Sequence, residues 1–195
     1  MPQNLVFATN NKNKIKEIEA ALSGDFILKS LNDIGCREGL AETGKTLQEN
    51  AFQKAQFVAK NYHVNCFSDD TGLEVEALNG QPGVFSARYA GIANDSEKNI
   101  QKLLQELKGI QNRSAQFRTV ICLILGNETH YFEGIVTGKI LESPVGENGF
   151  GYDPIFVPDG YNISFAQMSL EQKNQISHRA IAFKKLIEFL TSHYS

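Results

Sequence analysis

The sequence predicts an α/β protein built on a mixed sheet, and three observations carry that prediction. Short apolar runs of strand length alternate with amphipathic stretches of helical period. A long pair of apolar strand-like runs meets at Gly126 and Asn127, a two-residue turn signal. The chain has 195 residues, enough for one sizeable core or for one domain with two lobes. Hydrophobic content of 42% and charged content of 21% are those of an ordinary globular chain, so no special class has to be invoked. A formal charge of −3 argues against a general nucleic-acid or anionic-membrane binder, while leaving room for a local basic pocket. Cys36, Cys66 and Cys122 form no CxxC pair, which fits reduced thiols, with Cys66 and Cys122 in the core. The N-terminal MPQNLVFATNN has no basic leader and too short an apolar run for a signal peptide. The longest apolar run, 120–125, is far below the ~20 residues of a membrane helix. The expectation is a cytoplasmic protein.

Taken in order, residues 5–8 read as a buried first strand and 9–14 (TNNKNK) as a polar loop entering a helix. Ile15, Ile18, Ala21 and Leu22 share one face of that helix, which stops at Gly24. A second strand over 26–31 leads into a polar stretch through Lys45. Thr46 with Glu49 makes a capping box for a helix to about Tyr62, with Leu47, Ala51, Ala55, Val58 and Ala59 inward. The next strand, in VNCFSDDTG (64–72), ends at Asp69 and Asp70, where Thr71 and Gly72 turn the chain away. Residues 73–78 alternate apolar and acidic as a half-exposed strand does, and Asn79-Gly80 is a turn signal. After an irregular stretch over 80–91, Asp95 or Ser96 caps a helix carrying Ile100, Leu103, Leu104 and Leu107. Residues 117–125 and 131–141 form the long antiparallel pair. A glycine-rich loop over 146–152 precedes the apolar 155–157. Ser169 and Gln172 form a second capping box, and Ser177 caps a last helix with Phe183, Leu186, Ile187 and Leu190 inward.

Five stretches carry chemistry. Two adjacent carboxylates at a strand end suit a hard cation such as magnesium, which takes oxygen ligands and bridges to phosphates; the alternative is a polar turn. Only one of the pair can face a given cleft, because neighbours on a strand point to opposite sides. Residues 9–14 put small polar groups and lysines where a helix N-terminus favours phosphate. GLAETGKT (39–46) matches the P-loop expression in full, yet the preceding NDIGCRE is mostly polar where a P-loop needs a buried strand, and Glu42 would sit among phosphates. Phe150, Gly151, Tyr152 and Asp153 offer aromatic faces and an acceptor to a base. Ser177, His178 and Arg179 gather donors at a helix start. No histidine spacing suits zinc, and no GxSxG suggests a serine hydrolase.

In order, the segments ATNNKNK (8–14), AETGKTLQENAFQKA (41–55), SDDTGLEVEALNGQPGVFSARYAG (68–91), GFGYDPIF (149–156) and EQKNQISHR (171–179) resemble the Ham1/inosine triphosphatase family. The likeness runs from Leu5 to the last helix. Members of that family are noncanonical purine nucleoside triphosphate pyrophosphatases. The resemblance implies one domain over 1–195, with an elongated mixed sheet flanked by helices and two lobes with an active-site cleft between them. It implies a homodimer that hydrolyses inosine, deoxyinosine and xanthosine triphosphates to the monophosphate and pyrophosphate with magnesium. By the same resemblance Thr9, Asn10, Asn11, Lys12, Asn13, Lys14 and Lys54 hold the triphosphate. Glu42 and Asp70 hold the metal, Asp70 orients or deprotonates the attacking water, and Thr71 contacts substrate. Phe150, Gly151, Tyr152, Asp153, Lys173, His178 and Arg179 form the base pocket. Asn10 departs from the glycine that many members have there. The runner-up is a P-loop nucleotide kinase or GTPase using 39–46. A nucleotide-binding sensor would lack the metal carboxylates that this chain keeps.

Overall fold

The computed structural model describes residues 3–20, 26–91 and 95–194, and the chain divides into two compact units. The first comprises 1–70, 119–134 and 179–195; the second comprises 71–118 and 135–178. Ala21, Leu22 and Gly24, the expected end of the first helix, lie outside the described residues.

In the first unit, β1 (Gln3–Phe7) pairs in parallel with both β2 (Phe26–Lys29) and β3 (Cys66–Val75). Its strand order is β2-β1-β3-β5-β6, with β5 (Ser114–Leu125) and β6 (Glu128–Ile140) joined through Gly126 and Asn127. Among the described residues, three α-helices belong here: α1 (Lys12–Glu19), α2 (Leu47–Tyr62) and α5 (His178–Tyr194), the last all but its first residue. The helices follow from period and caps. Asn11 accepts from the backbone N–H of Asn13 and Lys14, and Thr46 accepts from that of Glu49. Both faces of the parallel strands are covered, as such strands require. Phe7, Phe67, Ile121, Leu123, Phe183, Leu186 and Leu190 pack as one core, and Val6, Ala51, Ala55, Val58, Cys66 and Cys122 as another. Phe7 and Phe67 stack at 4.5 Å.

In the second unit the pairings are antiparallel: β4 (Gln81–Pro82) with β3, and β7 (Phe156–Pro158) with β6. Asn79 and Gly80 take the left-handed backbone expected of the turn before β4. Asp95 caps α3 (Ser96–Glu106), and Ser169 with Gln172 completes the capping box of α4 (Leu170–Ile176). One core gathers Leu73, Val75, Leu103, Leu107, Phe117, Phe156 and Phe165.

The structure corrects the expectations for 64–78, where residues 76–78 form a 3-10 helix and not the end of a strand. Thr71 and Gly72 do not turn the chain; β3 runs through them as ten continuous residues. Gly72 serves close approach instead, since a Cβ there would stand 2.6 Å from the Gly83 carbonyl oxygen. Among the described residues, no helix is long and apolar enough to cross a membrane.

Candidate active site

In the first unit, four carboxylates and three cations gather from α1, α2, α5, β3 and the loop before α2. Lys14 reaches Asp69 Oδ1 at 2.8 Å, and Arg179 Nε donates to Asp69 Oδ2 at 3.2 Å while its Nη1 pairs with Glu17. On the other side of the strand, Asp70 Oδ2 accepts from Asn50 Nδ2 at 2.9 Å. Lys54 Nζ lies 2.5 Å from Glu42 Oε1, 3.8 Å from Asp70 Oδ1 and 2.8 Å from the Asp69 carbonyl oxygen. Glu17, Asn50, Lys54, Asp69, Asp70 and Arg179 are all buried. The pleat explains the division, because consecutive side chains of β3 leave the strand on opposite sides.

Burial and charge set the protonation of these groups. Burial pushes the Asp69 carboxyl up, but Lys14, Arg179 and Lys54 outweigh it and hold the group well below the usual carboxylate range. Burial raises Asp70, and Lys54 and Lys14 do not cancel that effect. Burial works against the Lys54 ammonium, yet Asp70, Glu42 and Asp69 keep its pKa above the usual value. Lys14 moves the other way, lowered by burial that Asp69 offsets only in part. The two neighbouring aspartates therefore differ: one is locked as an anion, the other is a more basic carboxylate.

The segment 42–46 lies along α2, fastened rung by rung. Glu42 pairs with Lys54, the Thr43 N–H donates to Gln53 Oε1 at 3.1 Å, Gly44 N–H to Asn50 Oδ1 at 2.8 Å, and Lys45 N–H to Glu49 Oε2 at 2.6 Å. This is not a P-loop. No strand leads directly into Gly39, and the backbone N–H groups that would cradle phosphate are taken by side chains of α2. Lys45 itself is exposed.

In the second unit, Asp153 and Lys173 form a buried pair at 2.7 Å, and Asp153 Oδ2 also accepts the Phe150 N–H at 2.8 Å. Lys173 Nζ stands 5.1 Å from the centre of the Phe150 ring and 5.6 Å from that of Phe165. Tyr152 donates to the Ser86 carbonyl at 2.9 Å. His178 is buried and stacks on Phe117 at 4.5 Å and 16°. Buried aromatic faces beside polar groups of fixed orientation are what a planar heterocycle requires.

The family model described as the Ham1 family matches residues 5–189. The chain belongs to the Ham1 family. Among its relatives in that family, the "dITP/XTP pyrophosphatase" of Flavobacterium psychrophilum is 56% identical, over 95% of this chain and 97% of the relative. The protein of the same name from Bacillus subtilis is 47% identical, over 95% and 96%. The Ham1 protein of Staphylococcus aureus superposes with a TM-score of 0.89 at 42% identity, covering 98% of this chain and 100% of that one.

Within this Ham1 chain, the residues singled out from sequence fall into two groups. Lys14, Glu42, Lys54 and Asp70 come together in the first unit, where Thr9 Oγ1 accepts the Asn11 N–H at 3.2 Å and Asn10, Lys12 and Asn13 are exposed on the same loop and helix start. Phe150, Gly151, Tyr152, Asp153, Lys173 and His178 belong to the second unit. Thr71 is half-buried on β3 directly after Asp70. Arg179 belongs to the first unit, and its guanidinium pairs with Glu17 and Asp69. Glu17 and Asn50 were missed, and Asp69 was noted only as the carboxylate beside Asp70. The signal was available in part, because Glu17 neighbours the inward Ile18, and Asn50 and Lys54 share helical spacing with Leu47, Ala51, Ala55 and Val58.

Two carboxylates, Glu42 and Asp70, approach one ammonium from separate elements, so a single cationic point already has hard oxygen donors on two sides. That donor set fits a magnesium ion completed by substrate and water oxygens. Among the described residues no group of three or more His, Cys, Asp and Glu could hold a metal.

Proposed function

We propose that this chain is a magnesium-dependent pyrophosphatase that hydrolyses inosine, deoxyinosine and xanthosine triphosphates to the monophosphate and pyrophosphate. The relatives named dITP/XTP pyrophosphatase support the substrate class. The observation that carries the reading is the set of four carboxylates and three cations about Asp69 and Asp70, in which Glu17, Lys54, Asp69, Asp70 and Arg179 are buried. Among the described residues, these three cations against four carboxylates leave an excess of negative charge, which by itself repels a triphosphate. A divalent cation reverses that balance.

Glu42 and Asp70 would hold magnesium, which would supply polarisation of a water and charge neutralisation at the phosphates. Asp70, raised by burial, accepts the proton of the water that attacks the α-phosphorus. Lys14 and Lys54 meet the charge that passes to the leaving pyrophosphate. The start of α1 adds its dipole, with Asn11 holding the first turn in place. Asp69 keeps Lys14 and Arg179 in register.

In the second unit, Phe150 offers the base a ring face, and the Asp153–Lys173 pair fixes the loop that carries it. A hydrogen-bond donor such as His178 suits the 6-oxo group of hypoxanthine and xanthine. Against the 6-amino group of adenine the same donor is left unpaired at a cost of about 1–3 kcal/mol. The protein acts as a cytoplasmic homodimer in this reading, and Tyr131 and Ile135 on β6 leave large apolar groups exposed for a partner. A panel of nucleoside triphosphates scored for pyrophosphate release with magnesium tests the function. Inosine, deoxyinosine and xanthosine triphosphates turn over and ATP does not; comparable turnover of ATP would contradict it.

A further inference from the structure

We propose that Asn50 is a positioning residue that sets the Asp70 carboxylate for reaction and ties it to the backbone of Gly44. The proposal rests on the reading of Asp70 and Glu42 as the metal-holding carboxylates.

Asn50 is fully buried on the inward face of α2, and both ends of its amide are engaged. Its Oδ1 accepts the Gly44 N–H at 2.8 Å and its Nδ2 donates to Asp70 Oδ2 at 2.9 Å. A backbone N–H can only donate, so the oxygen must face Gly44 and the NH2 group must face Asp70. The amide has one satisfactory orientation. With Oδ2 of Asp70 held by Asn50, Oδ1 is the oxygen turned to Lys54, the cation that Glu42 shares. Gly44 is shaped for this contact. A Cβ there would stand 2.6 Å from Glu49 Cβ and 2.9 Å from Asn50 Oδ1, so any larger residue pushes the loop off the amide.

The other backbone rungs of this loop, Thr43 to Gln53 and Lys45 to Glu49, lie on the exposed side of the helix. Asn50 continues from its rung to a reactive carboxylate. It therefore holds two things in register: the loop that presents Glu42, and the rotation of Asp70. Outer partners of metal-holding carboxylates act in this way, and their loss reduces metal affinity or activity about 10–100-fold.

The test uses the full chain, with Mn2+ as a paramagnetic probe bound in the absence of nucleotide, alongside kcat and KM for pyrophosphate release from inosine triphosphate. Asn50→Ala should weaken Mn2+ binding and lower kcat, each by about 10–100-fold, while KM stays at the parental level. Gln53→Ala loosens the same loop at Thr43 without touching Asp70, and should match the parent in all three. Asn50→Asp keeps the acceptor for Gly44 but turns an anion on Asp70, so kcat should fall although the loop stays fastened. Parental Mn2+ affinity and kcat in Asn50→Ala would overturn the proposal, as would equal losses in Gln53→Ala. Should Asn50→Ala fail to fold, a parental kcat in Asn50→Asp overturns it alone. A parent that releases no pyrophosphate defeats the functional reading itself; an active parent with unaffected Asn50 variants defeats only the positioning role.

Discussion

Asp69 and Asp70 are consecutive on β3 yet hold different partners: Asp69 Oδ1 takes Lys14 Nζ at 2.8 Å, and Asp70 Oδ2 takes Asn50 Nδ2 at 2.9 Å. One is locked as an anion by cations on α1 and α5. The other is raised by burial and bonded to a neutral amide. The two should therefore respond oppositely to the same substitution. Asp69→Asn leaves Lys14 and Arg179 short of a buried counter-charge and should cost about 3–5 kcal/mol of stability. Asp70→Asn removes a carboxylate that burial disfavours, so the fold should survive while pyrophosphate release falls by about 10²–10³-fold or more. Denaturant midpoints and turnover of both variants check this pair of outcomes.

In the proposed function, Arg179 serves the phosphate side and Asp153 the base side. Arg179→Ala takes a cation from Glu17 and Asp69, so turnover of inosine triphosphate and any residual turnover of ATP should fall in the same proportion. Asp153→Ala removes the carboxylate that Lys173 and the Phe150 N–H share, and should narrow the preference for inosine triphosphate over ATP. Rates on the two substrates for each variant decide the matter. A narrowed ratio with Arg179→Ala would return that residue to base reading.

Cys66 and Cys122 give a pH prediction away from the site. Burial, with Cys122 nearby, pushes the Cys66 thiol up to about 12, and burial does the same for Cys122. From an ordinary value of 9.0, the folded state then keeps protons that the unfolded chain releases. Their contribution is fully present below pH 9 and is lost as pH rises toward 12. The denaturant midpoint should fall between pH 8 and pH 10, and a Cys66→Ala/Cys122→Ala variant should show a flatter decline. Native protein should resist thiol labelling at pH 8, because all three cysteines are buried.

Much of the architecture was legible because its signals are local. Thr46, Asp95 and Ser169 cap the helices expected of them, and the stripe of Phe183, Leu186 and Leu190 is the buried face of α5. Gly72 misled because glycine marks two different needs: a turn, or a backbone passing close by. Only the position of Gly83 in space separates them. The pleat predicted that Asp69 and Asp70 would part, but which cations each would meet depends on α1 and α5, distant in sequence. The ion pairs of Arg179 were not legible, because Glu17 and Asp69 are distant in sequence. His178 and Arg179 are adjacent in sequence, yet one contacts Phe117 and the other Asp69.

Hydrolysis of inosine triphosphate in heavy-oxygen water tests the chemistry at Asp70 most directly. Water attack at the α-phosphorus puts the heavy oxygen in inosine monophosphate and none in an equimolar yield of pyrophosphate, and Asp70→Asn, although folded, should give both products about 10²–10³-fold more slowly or slower still. Heavy oxygen in the pyrophosphate, or orthophosphate as the product, would contradict this assignment.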